Sequence, residues 1–352
     1  MTPLDRGWKR AAWMVILGRR DIRNWTPKGG RREGNSIVKT SHLPAPLRGI
    51  IPPMITPLAD RDTLDAPGLE RLVEHLLAGG VHGLFVLGTT GEAPSLSYRL
   101  RHELVEHVCR QVAGRVPVLV GITDTSFVES VNLANVAARA GAQAVVLSAP
   151  YYFPAGQPEL LEYVEDIARE LPLPIFLYNM PSHTKLTFEP ETIARALELP
   201  NVVGLKDSSA QMIYFHRVRQ LAAARSDFSL LVGPEELLGE SVLAGAHGGV
   251  CGGANLFPRL YVELYEAACA RQLDRVAALH ARVMRLGDTI YSVGKHRSAF
   301  IKGLKCALSC LGVCDDFMAE PFHRFRASER ARIESILADL GVSPAQRTLQ
   351  TA

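Results

Sequence analysis

The sequence predicts an α/β fold, a (β/α)8 TIM barrel followed by a small C-terminal helical domain. Three observations carry that prediction. Eight short apolar runs rich in Val, Ile or Leu alternate with longer helical patterns over about 210 residues, as parallel strands buried on both faces do. The first strand-to-helix turn, Pro52-Pro53-Met54-Ile55-Thr56-Pro57, contains no glycine, which argues against an open doubly wound sheet with a dinucleotide loop. After Asn255 the strand-like runs stop and only helical patterns follow.

Taken in order, the expected strands are residues 49–55, 81–87, 117–122, 144–148, 174–178, 202–206, 229–232 and 248–251. Each is bounded by Gly, Pro, Ser or Thr. After the first of them, Leu69, Leu72, Val73, Leu76 and Leu77 form a stripe at helical spacing. Residues 126–140 and 158–170 read the same way. Pro158 and Pro190 sit where a first helical turn tolerates proline, and Gly79-Gly80 and Gly141 mark helix exits. Residues 258–271, 274–288, 295–311 and 328–340 are the helices expected beyond the barrel. The resulting organisation is a basic, disordered extension over residues 1–47, a barrel over 48–256 and a helical domain over 257–345.

Composition narrows the function classes. At 352 residues, 47% hydrophobic and 21% charged, the chain is ordinary globular material with enough length for a large core. The formal charge of +3 is unevenly placed: residues 1–47 hold ten Lys/Arg against Asp5, Asp21 and Glu33. That local +7 leaves the rest of the chain at −4, which gives no reason to expect nucleic-acid binding. The apolar run at residues 11–17 is too short to span a bilayer. The arginine-rich extension is compatible with an organelle transit peptide, but a solvated tail or an early start codon is the preferred reading. Cys306, Cys310 and Cys314 share one face if their stretch is helical. One helix face rarely supplies a tetrahedral metal set, so they read as small core residues. No disulfide framework is apparent, and a reducing cytoplasm fits.

Only two lysines lie between Arg48 and Asn255, and one of them, Lys206, ends an otherwise apolar strand. Burial disfavours a charged amine there, and a free amine is what Schiff-base formation with a ketone needs. The plainer reading is a strand-end lysine whose head reaches solvent. In a barrel, chemistry gathers at the C-terminal strand ends, and these ends supply companions. Thr89 and Thr90, in Gly88-Thr89-Thr90-Gly91-Glu92, offer hydroxyls and N–H groups suited to a carboxylate, or simply a turn with a helix cap. Tyr178 is placed to shuttle protons to an adduct on Lys206, or is a core tyrosine. Tyr152 is a second candidate relay, or a packed rim residue. Glycines around Val250 let backbone approach a small ligand, or only close the barrel. Gly233, just past the seventh strand, joins the candidate substrate-binding positions. Lys185 is the rival amine but lies in a polar loop. No His/Asp/Glu set on the strand ends suggests a metal-dependent aldolase.

Gly-Thr-Thr-Gly-Glu, Pro-Tyr-Tyr, Tyr-Asn-Met-Pro and Val-Gly-Leu-Lys-Asp, each on its own strand end, together resemble the dihydrodipicolinate synthase and N-acetylneuraminate lyase superfamily. The resemblance covers about residues 48 to 325, including Lys302-Gly303-Leu304-Lys305. It implies a barrel with a C-terminal helical domain, a homotetramer built as a dimer of dimers, and pyruvate chemistry through a lysine Schiff base without metal or organic cofactor. It also implies roles for particular residues. Lys206 matches the Schiff-base lysine and Tyr178 the tyrosine that handles protons. Thr89 and Tyr152 match the relaying hydroxyls, with Tyr152 reaching across a dimer interface. Thr90 matches the clamp on the pyruvate carboxylate, and Val250 the backbone packed against the keto acid.

Departures bear on the substrate. Dihydrodipicolinate synthases carry an arginine five residues after the strand-5 tyrosine; here the residue is His183, which lacks the bidentate fork and is only partly charged near neutrality. Asp207 stands where synthases usually carry glutamate, and Cys251-Gly252-Gly253 is similar to the aldolase branches. The leading expectation is therefore a pyruvate-dependent Schiff-base lyase, a 2-keto-(deoxy)-acid aldolase joining or parting pyruvate and an aldehyde. The second is 4-hydroxy-tetrahydrodipicolinate synthase, acting on pyruvate and aspartate semialdehyde. A barrel that binds keto acids without turnover is the alternative from another class. No nucleic acid, membrane or metal partner is expected.

Overall fold

Residues 43–342 are described by the computed structural model, so the expectation for residues 1–47 and the last three of 257–345 fall largely outside the described residues. Within them, the apolar runs form eight parallel strands: β1 (Gly49–Ile50), β2 (Leu84–Val86), β3 (Val118–Gly121), β4 (Ala144–Ser148), β5 (Ile175–Asn179), β6 (Val202–Asp207), β7 (Ser229–Val232) and β8 (Gly248–Gly249). Their order around one sheet is β1-β8-β7-β6-β5-β4-β3-β2. The ring closes between β1 and β2, where Phe85 N donates to Pro52 O (3.0 Å) and Met54 N to Phe85 O (2.8 Å). A short antiparallel hairpin, Leu58–Asp60 with Thr63–Leu64, follows β1; its strands are too short to carry a period in the sequence.

Helices return the chain between strands: α1 (Ala66–Ala78), α2 (Tyr98–Val112), α3 (Phe127–Ala140), α4 (Gln157–Glu170), α5 (Pro190–Ala196), α6 (Met212–Ala222), α7 (Leu238–Leu243) and α8 (Pro258–Cys269). Local chemistry sets their ends. Asp65, Ser97 and Ser126 cap α1, α2 and α3 by accepting from Gly68 N, Leu100 N and Glu129 N. Gly141 ends α3 at φ 90°, where a Cβ would be strained. Then come α9 (Leu273–Asp288), α10 (Ala299–Cys310) and α11 (Ala327–Asp339). The helix expected as the first of the C-terminal domain, α8, instead packs beside α7 and on β1, as the eighth helix of the ring. The helix expected over 295–311 starts at Ala299, after a turn through Gly294.

Strand alternation divides the core in two. Residues facing out, such as Leu84, Val86, Val145 and Leu205, pack with the helices. Residues facing in form a separate cluster: Leu47, Ile51, Phe85, Leu119, Ala144, Val146, Phe176, Tyr178, Leu231 and Val250. Burying a side chain such as Leu231 or Phe176 contributes about 1.5–3 kcal/mol each. Leu47 belongs to this inner cluster, with its N–H bonded to Ser229 Oγ at 2.9 Å, so packing begins ahead of the expected start at residue 48. Cys306 and Cys314 are buried free thiols, and Cys310 is half-buried.

Candidate active site

The position of Lys206 depends on one irregularity. Ile175 pairs with Val202, but Phe176 pairs with Gly204, leaving Val203 as an extra residue in β6. The bulge re-phases the strand, so Tyr178 and Lys206 fall opposite each other and face the same side. Because Tyr178 lies in the inner cluster, Lys206 faces the lumen. Lys206 is 5% exposed. Its Nζ sits 3.9 Å from the centre of the Tyr178 ring and 5.0 Å from that of Phe85, a cation–π setting in an apolar cavity.

Tyr178 links the amine to the β2 end. Its hydroxyl is 3.4 Å from Thr89 Oγ1, and either can donate. Burial alone would raise this phenol; the Lys206 charge, with hydrogen bonds to Thr89, Ser208 and Lys206, carries it below the ordinary tyrosine range. Thr90 is buried beside Thr89. The turn holding both is pinned by Thr56 Oγ1, which donates to Gly91 O at 2.7 Å.

The other walls come from β7 and β8. Gly233 N donates to Asp207 O at 2.7 Å, and a Cβ on Gly233 would lie 1.9 Å from Ser208 Oγ, so only glycine allows this approach. Val250 is buried in the inner cluster. The loop after it is braced by buried Glu235, which accepts from Gly253 N (2.7 Å), Tyr261 (2.7 Å) and Tyr291 (2.8 Å). Lys206, Tyr178, Thr89, Thr90, Val250 and Gly233 therefore gather around one mouth.

Two expected residues stand apart from that centre. His183 lies on a single helical turn, Pro181–Thr184, exposed at the rim with Nδ1 3.0 Å from Ser182 Oγ. Crowding by the protein on one side, then the charges of Lys185, Arg297 and Lys206, hold it below the ordinary histidine range. Tyr152 is 76% exposed, and its ring meets that of Phe153, itself 79% exposed, edge-on at 5.2 Å. β4 ends at Ser148 and the loop after it runs into solvent, so within one chain Tyr152 does not join Tyr178.

Asp207 proves to face away from the amine, as the neighbour of an inward residue must. It accepts from Asn179 Nδ2 (3.0 Å), Ser209 N (3.0 Å) and Ser209 Oγ (3.1 Å). Burial holds its carboxyl above the ordinary range against those bonds. The rival amine, Lys185, donates to Ser182 O at 2.8 Å. Two site residues escaped the sequence reading, Ser208 and Phe85. Ser208 follows Lys206 by two and was accessible through strand period; Phe85 needed the ring contact. Among the described residues, no group of three or more His, Cys, Asp or Glu side chains is arranged to hold a metal ion.

Residues 46–340 match the model of the dihydrodipicolinate synthetase family. The probable 2-dehydro-3-deoxy-D-pentonate aldolase YjhH of Escherichia coli (strain K12) is 31% identical over 299 residues, 84% of this chain and 98% of its own. A solved dihydrodipicolinate synthase from Bacteroides thetaiotaomicron is 59% identical with a TM-score of 0.82, covering 84% of this chain and 99% of that one. YagE from E. coli K12, a member of the same family solved in complex with pyruvate, is 28% identical with a TM-score of 0.79, over 84% and 99%. This chain belongs to the dihydrodipicolinate synthetase family, and it is a lyase of (β/α)8 fold.

Proposed function

We propose that this lyase uses Lys206 to form an imine with pyruvate or a related 2-keto acid and makes or breaks a carbon–carbon bond to an aldehyde. The observation that carries the reading is the amine of Lys206 in the lumen, 3.9 Å above the Tyr178 ring, with the Tyr178 hydroxyl 3.4 Å from Thr89. The free amine attacks the C2 carbonyl to give a carbinolamine. Tyr178 and Thr89 move the protons that let hydroxide leave as water. The imine then draws electrons from C3, so that loss of a C3 proton, or cleavage of the C3–C4 bond with release of an aldehyde, gives an enamine. The enamine adds to an aldehyde, or takes a proton and is hydrolysed to pyruvate and free Lys206. Thr90 and the N–H groups of its turn receive the keto-acid carboxylate, and Val250 and Gly233 line the opposite wall. His183 meets the distal end of the aldehyde.

The imine is itself the electron sink, so this reading calls for no metal or organic cofactor; activity undiminished by EDTA is expected. Tyr152 completes the relay from a second copy, in a homotetramer built as a dimer of dimers, which accounts for two aromatic side chains standing in solvent on one protomer. No helix among the described residues is long and apolar enough to cross a membrane, and a cytoplasmic location is proposed.

The leading substrate class is a hydroxylated or deoxy 2-keto acid, supported by His183 at the rim and by the likeness to YjhH. Dihydrodipicolinate synthesis from pyruvate and aspartate semialdehyde is the second reading, favoured by the likeness to the Bacteroides synthase. Incubation with pyruvate and borohydride should add one reduced pyruvyl group to Lys206. An adduct of undiminished yield on Lys206→Ala, or none on wild type, refutes the chemistry. Pyruvate that binds without exchanging its methyl protons into deuterated water would favour the non-catalytic barrel.

A further inference from the structure

The turn that presents Thr89 and Thr90 is held in an unfavourable shape. Leu87 before it has φ 58° and Glu92 after it has φ 56°, and neither is a glycine. Left-handed backbone is unfavourable at such residues and persists only where the surroundings over-determine it. Strain of this kind on both sides of a binding turn asks what holds it.

The answer lies outside the barrel. The Glu92 carboxylate is buried, with Oε1 2.5 Å from Lys305 Nζ, and both side chains are almost wholly enclosed (3% and 0% exposed). The Lys305 ammonium also donates to Phe317 O at 2.6 Å. Glu92 Oε2 accepts from Ala319 N at 2.9 Å. Lys305 is on α10, and Phe317 and Ala319 are on the segment after it. Neighbouring bonds fix that segment to the same rim: Asp315 N donates to Asp65 Oδ2 at 2.8 Å, and Arg71 Nε to Val313 O at 2.8 Å. The helical C-terminal region thus grips the turn by its one buried carboxylate. An enclosed ion pair is weak evidence for stability, because desolvation offsets its attraction; here its bonds tie the turn to α10 and to the segment after it.

We propose that Lys305 and Glu92 are positioning residues for the keto-acid carboxylate site, through which the C-terminal helical region fixes the Thr89–Thr90 turn. Neither touches substrate; each acts through the turn. The inference rests on the pyruvate reading above. A displaced turn loosens the Thr90 contact with the carboxylate, so affinity for pyruvate falls, and it carries Thr89 away from Tyr178, so turnover falls with it. Losing one charge-assisted hydrogen bond corresponds to about tenfold to hundredfold in half-saturation.

The test compares wild type with Glu92→Gln/Lys305→Met, a nearly isosteric change that leaves no buried charge unpaired. The readouts are the pyruvate concentration for half-maximal borohydride trapping, kcat, and Tm. The expected result is a half-saturation at least tenfold higher and a lower kcat, with the final adduct yield on Lys206 at saturating pyruvate within threefold of wild type. Arg330→Ala, which removes the contacts with Asp316 and Glu334 in the same region but away from the turn, should lower Tm and leave half-saturation unchanged. If the double variant does not fold, Glu92→Gln/Lys305→Leu, which likewise leaves no buried charge unpaired, carries the same expectation. An unchanged half-saturation in the folded variant, or an equal rise in Arg330→Ala, overturns the inference. Absence of any adduct on wild type refutes instead the pyruvate reading on which it rests.

Discussion

Replacing Tyr178 with phenylalanine separates chemistry from packing. The phenylalanine ring keeps its place in the inner cluster and its face under Lys206 Nζ. What is lost is one hydroxyl, bonded to Thr89 at a long 3.4 Å and also to Ser208. A net hydrogen bond contributes about 1 kcal/mol. For a chain of this size that corresponds to a Tm change of about 2–4 °C at most. The kinetic cost is far larger. A positioned proton-transfer group contributes about 10²- to 10⁴-fold, or roughly 3–5.5 kcal/mol at 1.36 kcal/mol per decade. The assay is exchange of the pyruvate methyl protons into deuterated water, followed by NMR, alongside a thermal melt. Tyr178→Phe should keep its melting temperature within a few degrees and lose exchange by at least a hundredfold. Exchange within threefold of wild type would remove Tyr178 from the proton path, and with it the assignment of the relay.

Other perturbations test the scaffold and the assembly. Arg101 bonds Asp124 at 3.0 Å with both side chains buried. Burial alone would raise the Asp124 carboxyl, but bonds from Ser126, Arg101 and Tyr98 carry it below the ordinary range; Arg101→Ala strands it, and denaturant unfolding should show a loss of about 3–5 kcal/mol. His82 and His247 accept the N–H groups of Ile50 (3.2 Å) and Leu230 (2.9 Å) through Nδ1, which requires that nitrogen unprotonated. Burial holds both below the ordinary value of 6.5, with Glu266 opposing this at His82 and Arg48 adding to it at His247. The neutral form is favoured in the fold, so stability is complete above about pH 6.5 and is lost as pH falls toward the folded values. A stability profile flat from pH 7.5 to 5 would contradict this. Tyr152→Ala removes a side chain that is 76% exposed on one protomer. It should therefore cost turnover or assembly without unfolding the chain, as kcat and sedimentation velocity would report.

Much of this site was readable from strand-end residues because a barrel of parallel strands places every C-terminal strand end on one face. Knowing that Thr89, Tyr178, Lys206 and Val250 each lie at or just past the C-terminal end of a strand is then nearly enough to bring them together. Tyr152 obeys the same rule by position and still stands off, since it lies four residues past the end of β4 on a loop that runs into solvent. Asp207 looked like a substrate-side departure only because its facing was unknown. The grip of Lys305 on Glu92 spans more than two hundred residues of chain, and neither side chain carries a local pattern that points to the other.

The amino-acid order alone determined the strand and helix alternation, the helix caps and the residue types that suit imine chemistry, because periodicity, capping and turn propensity are properties of neighbours in the chain. Which way the lysine faces was decided by tertiary structure. Without the extra residue at Val203, Tyr178 would lie opposite Leu205, and Lys206 would point into the helical layer. A one-residue shift reverses every side chain on a strand, and pairing with β5, absent from β6 itself, selects between the two.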